Sequence, residues 1–312
     1  MKKIMIVGSL NSDITVYAPR FPVPGETIIG GRVGFGYGGK GSNQAIAAHR
    51  SGGLVKFVSR VGGDALGGDL LAFYRSEGIS TEYISVSETT ATGCAIIEVS
   101  AETGNNHIVV AQGANAELSA EEIAAAEKDF ADCDVFLTQL ETSLDSIAEG
   151  RRLALKYGKP IVFNPAPYAA LPDGFFEGID FVTPNETEAE YYTGETVNDI
   201  DGARRAARAF MKMGVRNVII TLGKRGAFFS GEHGELLVPT TDLKAVDTTG
   251  AGDSFNGAFC VGYAEGMDVE TALKFANCVS SISVTRRGAA TSIPHREEAL
   301  ALLSGYYNVT LD

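Results

Sequence analysis

The sequence predicts an α/β protein: a mostly parallel central sheet with helices on both faces, to which a small β-sheet lid is added. Three observations lead there. Short apolar runs alternate with segments of helical period along most of the chain. The helical segments are long enough to carry the chain back for the next parallel strand. Two stretches, 14–37 and 91–111, interrupt this rhythm with short strand-like runs, turns and no helix.

In order along the chain, strands are expected at 3–7, 55–61, 135–139, 160–164, 180–183 and 217–222. Helices are expected at 42–51, 65–77, 120–130, 146–157, 186–192 and 202–213. After residue 240 the pattern turns helical, at 251–264, 269–284 and 296–303. Strands inserted at two places in an α/β body can pair into a small sheet over a site; surface hairpins without a role fit the same letters. No linker, low-complexity segment or repeat divides residues 1–312. They read as one domain with lid strands inserted at about 14–37 and 91–111.

Composition narrows the function. With 45% hydrophobic residues, 312 residues can bury a large core. A net charge of −13 argues against nucleic-acid or anionic-membrane partners, which are held mainly by basic surface. It does not bar a small phosphorylated ligand held by backbone amides and a few cations. No apolar run approaches the ~20 residues that span a bilayer. The start, Met1 to Gly8, is basic and then apolar but too short for a signal peptide, and reads as a buried strand. Cys94, Cys133, Cys260 and Cys278 are scattered, as are the four histidines, which argues against a zinc site and for a reduced, cytoplasmic protein.

The most informative stretch is 247–259, Asp-Thr-Thr-Gly-Ala-Gly-Asp-Ser-Phe-Asn-Gly-Ala-Phe. Gly250, Ala251 and Gly252 put little bulk at the first turn of the expected helix, so backbone N–H groups and the helix dipole are open to an anion. Asp253 lies inside that turn, where a phosphate loop has little use for negative charge. It makes sense if it takes a proton from a hydroxyl while the amides steady a phosphoryl group. An ordinary helix-start aspartate fits the same position.

Gly34 to Gly39 match Gly-x-Gly-x-x-Gly, but the first strand ends at Gly8 without those glycines, and no acid follows at the ribose spacing. The near-match of 34–40 to a P-loop fails at Gly41, where Ser or Thr should bind magnesium. What remains at 38–45 is a Gly-rich helix entry in which Asn43 can donate to and accept from hydroxyls. Asn11 and Asp13 follow the first strand at its carboxyl end, where open α/β sheets place ligands. Glu141 and the 185–188 segment sit at equivalent edges, though each can also cap a helix. The 221–226 segment adds small residues and two cations at another strand end.

With these motifs in place, the chain is identified as a member of the ribokinase-like (PfkB) family of carbohydrate kinases, which it resembles over nearly its whole length. The resemblance rests on Gly38-Gly39-Lys40-Gly41-Ser42-Asn43, with Gly52 and Gly62 downstream, and on 247–259. It extends to Asn11-Ser12-Asp13, 21–27, Gln139-Leu140-Glu141, 164–167, 183–190 and 284–289.

The resemblance implies a ribokinase-like three-layer α/β/α body and ATP-dependent phosphorylation of the 5-hydroxyl of D-ribose. It implies that Asp253 is the base, with the Gly250-Ala251-Gly252-Asp253 turn as anion hole. Asn11, Ser12, Asp13, Gly39, Lys40, Gly41, Ser42, Asn43 and Glu141 would surround the sugar. Asn185, Thr221, Leu222, Gly223, Lys224, Arg225, Gly226, Gly252 and Asn277 would lie along ATP, with Glu188 organising magnesium indirectly. A monovalent cation, usually potassium, would sit against Asp247, Thr249, Ser283, Arg286, Gly288 and Ser292, mostly on backbone carbonyls. The lid would clasp a second copy, giving a homodimer.

An aspartate at a helix start is expected to stay ionised and to be a weak base whose value lies in position. The pattern also admits a sibling kinase acting on deoxyribose, a nucleoside or another sugar, since Tyr17, Phe35 and Tyr37 can stack on a base or pack the lid. A non-catalytic sugar-binding protein on the same fold would need neither Asp253 nor its glycines.

Overall fold

Successive strand residues point to opposite faces, so an unbroken apolar run can fill two cores at once. In the computed structural model, which describes residues 1–103, 105–232 and 234–311, the first strand does so. Ile4 and Ile6 enter one core, and Met5 and Val7 the other. Val135 and Leu137 against Phe136, and Ile219 against Val218 and Ile220, repeat the division.

The strands are β1 (Lys3–Val7), β2 (Asn11–Ala18), β3 (Arg32–Gly38), β4 (Leu54–Gly62), β5 (Ile84–Ser87), β6 (Gly93–Ser100) and β7 (Asn106–Ala111). They continue with β8 (Val135–Thr138), β9 (Ile161–Phe163), β10 (Phe181–Val182), β11 (Asn217–Thr221), β12 (Ala227–Gly231) and β13 (Gly234–Val238). Among the described residues the larger sheet has nine strands, in the order β13-β12-β11-β10-β9-β8-β1-β4-β5. Pairing is parallel from β11 to β5, and only β12 and β13 run antiparallel, at one edge.

The first core joins the sheet to helices Lys40–Arg50, Ala65–Ser76, Ala251–Ala264, Val269–Ser283 and Arg296–Tyr307. The second joins it to Ala120–Ala125, Glu127–Asp132, Leu144–Lys156, Glu186–Thr193 and Ile200–Lys212. This is the three-layer body the alternation predicts. The expected 120–130 helix breaks at Ala126, whose backbone leaves the helical region. Neither β5 nor the β12–β13 hairpin was expected. Among the described residues no helix is long and apolar enough to cross a membrane.

The two interrupting stretches pair into a separate sheet of order β3-β2-β6-β7. Its register puts Phe35, Ile14, Ile96 and Val109 in one row across the sheet. Phe35 is 73% and Val109 68% exposed, so this face is apolar and open. Asn11 and Asp13 lie on the opposite face by the same alternation.

Candidate active site

The site begins with a close helix–helix contact. Gly257 lies against the Lys40–Arg50 helix so tightly that a Cβ there would meet Ala47 Cβ at 2.6 Å and Ala48 N at 2.7 Å. Without a side chain between them, the two helices bring Asn43 and Gln44 onto Asp253. Asn43 Nδ2 donates to Asp253 Oδ2 at 2.9 Å, and Gln44 Nε2 donates to Oδ1 at 3.1 Å. The turn before Asp253 needs glycine at Gly250, whose φ of 73° is left-handed. A Cβ on Gly252 would meet nothing within 4 Å, and while the Ala251 amide donates to Thr248 O at 3.2 Å, the Gly252 and Asp253 amides are left open to an anion.

Burial pushes the Asp253 carboxyl above its usual range, and Lys40 and the Asn43 amide only partly oppose this. The expectation of a weak base is thereby revised. A helix start alone would favour ionisation, but this carboxylate has lost its water. Lys40 sits among Asp253, Glu141 and Glu188; burial works against its charge, and the three carboxylates outweigh it and raise its pKa.

At the end of β1, Glu141 Oε2 accepts from Ser9 Oγ at 2.6 Å and from the Lys40 amide at 2.9 Å. It therefore does cap a helix, one distant in sequence, and this holds it beside the entry to the Lys40–Arg50 helix. Asp13 faces Gly38, where any Cβ would strike its carboxylate. Burial, with the Glu141 charge nearby, raises the Asp13 pKa to about 7. Asn115 crosslinks this region. Its Oδ1 accepts from the Leu10 amide at 2.8 Å, and its Nδ2 donates to Asn11 Oδ1 at 2.8 Å and Gln112 O at 2.9 Å.

A cleft of about 360 Å³ runs from Lys40 and Asp253 past Asn185, Glu188, Thr221, Gly223 and Gly226 to Asn277. Asn185 and Glu188 form a capping box, each side chain bonded to the other's backbone N–H. At the far end Asn277 Nδ2 donates to the Val238 and Pro239 carbonyls, both at 3.2 Å.

Behind the Gly250 turn, the Asp247 carboxylate accepts from Thr249 N (3.0 Å), Thr249 Oγ1 (2.7 Å) and Gly288 N (3.0 Å). Val246 N and Asp247 N donate to Val284 O. Burial opposes the charge of Asp247, but the bonds from Gly288 and Thr249 hold its carboxyl below the usual range. Residues 247–249 are thus drawn against 284–288, which fits a cation held by one carboxylate and backbone carbonyls.

The profile of the pfkB family of carbohydrate kinases matches residues 1–296. The chain belongs to this family. It is 41% identical to a ribokinase of Haemophilus influenzae over 97% of this chain and 98% of that one. It is 36% identical to a deoxyribokinase of Salmonella typhi over 96% and 98%. Among solved structures, a ribokinase of Thermotoga maritima aligns with TM-score 0.89 at 36% identity, covering 97% of this chain and 100% of that one. A ribokinase of Arabidopsis thaliana, complexed with ribose and ATP, aligns with TM-score 0.90 at 30% identity over 97% and 98%.

In this sugar kinase Asn11, Asp13, Gly39, Asn43 and Glu141 lie outside the lining of the 360 Å³ cleft, and the side chains of several other expected residues are engaged elsewhere. Ser42 is fully buried with its N–H on Ser9 O, and Gly41 packs against Gly8. Ser12 lies on the lid face opposite Asn11 and Asp13, one residue out of phase. Leu222 belongs to the second core, Lys224 is exposed outside the cleft, and Arg225 turns to Asn198 O and Glu186. Arg286 pairs with Glu298, so only its carbonyl is free to face a cation, and the hydroxyls of Ser283 and Ser292 are spent on Ser280 O and Ala289 O. Tyr37 stacks on Phe73 of the body at 4.0 Å and Tyr17 lies under Arg32, leaving Phe35 as the free lid aromatic.

Residues not expected in the cleft also line it: Asn164, Thr183, Thr248, Asn256 and Ser280 among them. Asn164 and Thr183 lie at strand ends, the signal that singled out Asn11 and Glu141, and so were findable. Asn256, like Thr248, lies within the 247–259 stretch and could have been read from it, whereas Ser280 sits inside a helix with nothing in its local sequence to mark it.

Proposed function

We propose that this kinase transfers the γ-phosphoryl group of ATP to the 5-hydroxyl of D-ribose. The observation that carries the reading is Asp253, a buried carboxylate of raised pKa set directly beside open helix-start amides. Its Asn43 and Gln44 donors orient it, and Lys40 lies within its field. A deprotonated Asp253 accepts the hydroxyl proton as the sugar oxygen attacks phosphorus in line, and the Gly252 and Asp253 amides, joined by that of Ala251 once it leaves Thr248 O, take up charge on the transferring group. Asn11, Asp13, Asn43 and Glu141 hold the sugar, and Lys40 neutralises phosphate charge. Along the cleft Asn185, Thr221, Gly223, Gly226 and Asn277 hold the nucleotide.

Glu188 would help to hold magnesium indirectly, and the ion would neutralise charge on the ATP phosphates. Asp247 and the backbone carbonyls near it would hold potassium, which would add positive charge behind the Gly250 turn. The small sheet serves as the lid of a single domain. Its open row of Phe35, Ile14, Ile96 and Val109 supports a homodimer formed lid to lid. The free state of all four cysteines supports a cytoplasmic setting.

The likeness to a deoxyribokinase favours 2-deoxyribose as the second reading. A coupled ADP-release screen over ribose, deoxyribose, fructose, adenosine, uridine and pseudouridine, with and without potassium, decides between them. Ribose is expected to give the highest kcat/KM. Preference for deoxyribose establishes the second reading, and turnover with none of the six overturns both.

A further inference from the structure

Gln44 is fully buried, so it can touch neither solvent nor a sugar. Yet it makes one of the two side-chain hydrogen bonds to Asp253, Nε2 to Oδ1 at 3.1 Å. The same Nε2 lies 3.2 Å from Asn164 Oδ1. Its Oε1 accepts from Gln139 Nε2 at 2.5 Å, and Gln139 is itself fully buried behind β1. A primary amide has one donating and one accepting end. Two acceptors, Asp253 Oδ1 and Asn164 Oδ1, face the donating end of Gln44, and the Gln139 donor holds its accepting end, so the amide is matched at both ends in one orientation.

We infer that Gln44, oriented by Gln139, is a positioning residue for the reaction. It fixes the rotation of the Asp253 carboxylate and keeps its hydroxyl-facing oxygen acceptor-only. This rests on the reading of Asp253 as the base. Asn43 makes the other bond but sits at the sugar pocket, so its loss mixes binding with positioning. Gln44 separates the second effect from sugar contact, and its other cleft neighbour, Asn164, keeps its own bond to Thr183 O when Gln44 is lost. The charged groups that also face Asp253 are Lys40 from the start of the same helix, Glu141 from the loop after β8 and Glu188 from the Glu186–Thr193 helix. None of them is altered when Gln44 becomes Met, which keeps the length of the side chain and removes both polar ends.

The loss of a hydrogen bond to a charged group should slow single-turnover phosphoryl transfer in Gln44→Met by about ten- to hundredfold. Ribose and nucleotide affinities by calorimetry should stay within about twofold. Removing a donor from a carboxylate disfavours its anion, so the acid limb of the pH–rate profile should move upward by about one unit. Gln139→Met leaves every direct partner of Asp253 in place, and should shift rate and limb in the same direction by less. It also serves as the test if Gln44→Met does not fold.

Combining the two should add little to Gln44→Met alone, since both act through one amide. An unshifted acid limb, or a loss shared equally by ribose affinity, overturns the inference and makes Gln44 core filling. Asp253→Asn run alongside separates the two levels. If that variant keeps wild-type turnover, the reading of the base fails; if it is inactive while Gln44→Met and Gln139→Met match wild type, only the positioning role fails.

Discussion

Gly257 is 4 residues beyond Asp253 and touches no expected ligand, yet the structure makes it a strong lever on activity. In Gly257→Ala the new methyl would sit 2.6 Å from Ala47 Cβ, where ordinary contact begins at 3.4 Å, a shortfall of about 0.8 Å. Backbone neighbours on the same helix leave no flexible side chain to yield, so the helices Lys40–Arg50 and Ala251–Ala264 must separate by a comparable amount. Overpacking of this kind costs about 1–3 kcal/mol, which for a chain of this size lowers Tm by roughly 2–6 °C. The larger effect is on chemistry. Asn43 and Gln44 ride on one helix and Asp253 on the other, and both bonds between them lengthen together. A misplacement approaching 1 Å in a catalytic group costs on the order of 10²-fold in rate. Differential scanning calorimetry and steady-state ADP release measure the two effects separately. A variant with lowered Tm and turnover within about twofold of wild type would refute the claim that this contact sets the base.

Asp253→Asn should lower turnover by about 10²–10⁴-fold while calorimetry still detects ribose and ATP, and retention of a tenth of wild-type turnover would count against Asp253 as base. Asp13, with its pKa raised to about 7, should bind ribose better as pH rises through 7, because the ionised carboxylate accepts hydroxyl donors at both oxygens and more strongly than the protonated one, which keeps only part of its acceptor capacity; titration calorimetry from pH 5.5 to 8.5 should show this slope, and Asp13→Asn should flatten it. Potassium should raise turnover more than ribose affinity, lithium should substitute poorly, and Asp247→Ala should blunt the response without unfolding; equal rates in lithium, sodium, potassium and caesium chloride would remove the cation site. Phe35→Asp with Val109→Asp should shift the protein to monomer in light scattering if the lid row joins two copies, and an unchanged mass would place any interface elsewhere.

The central strands were legible because burial on both faces leaves unbroken runs such as Ile4–Val7, a signal that composition alone carries. The β5 strand was not: Ile84-Ser-Val-Ser is short, half polar and paired on one side only. The β12–β13 hairpin escaped because it follows Thr221 with no helix between and adds an antiparallel edge outside the βαβ alternation. In the site, strand ends pointed to Asn11, Asp13, Glu141, Asn185 and Thr221, since topology fixes where such ends lie. The placement of Lys224 and Arg225 could not be read, because charge says nothing about which way a surface side chain turns. Gln44 and Asn115 stayed hidden for a different reason. Their partners lie 209 and 104 residues away in sequence, and no local pattern encodes a contact that only the assembled sheet creates.

If the small sheet serves as the proposed lid, Asn115 sets where it can bend. By joining Leu10, Asn11 and Gln112 through one buried side chain, it welds the chain's entry to the lid and its exit from β7 into a single root. Deuterium uptake should therefore be graded along the small sheet. The Leu10 amide, donated to a buried side-chain oxygen, should exchange only with sub-global opening, and amides toward the 18–32 end should exchange through local fraying. Opening is then a bend of the sheet above a fixed base, and the floor of the sugar pocket keeps its shape while the roof moves.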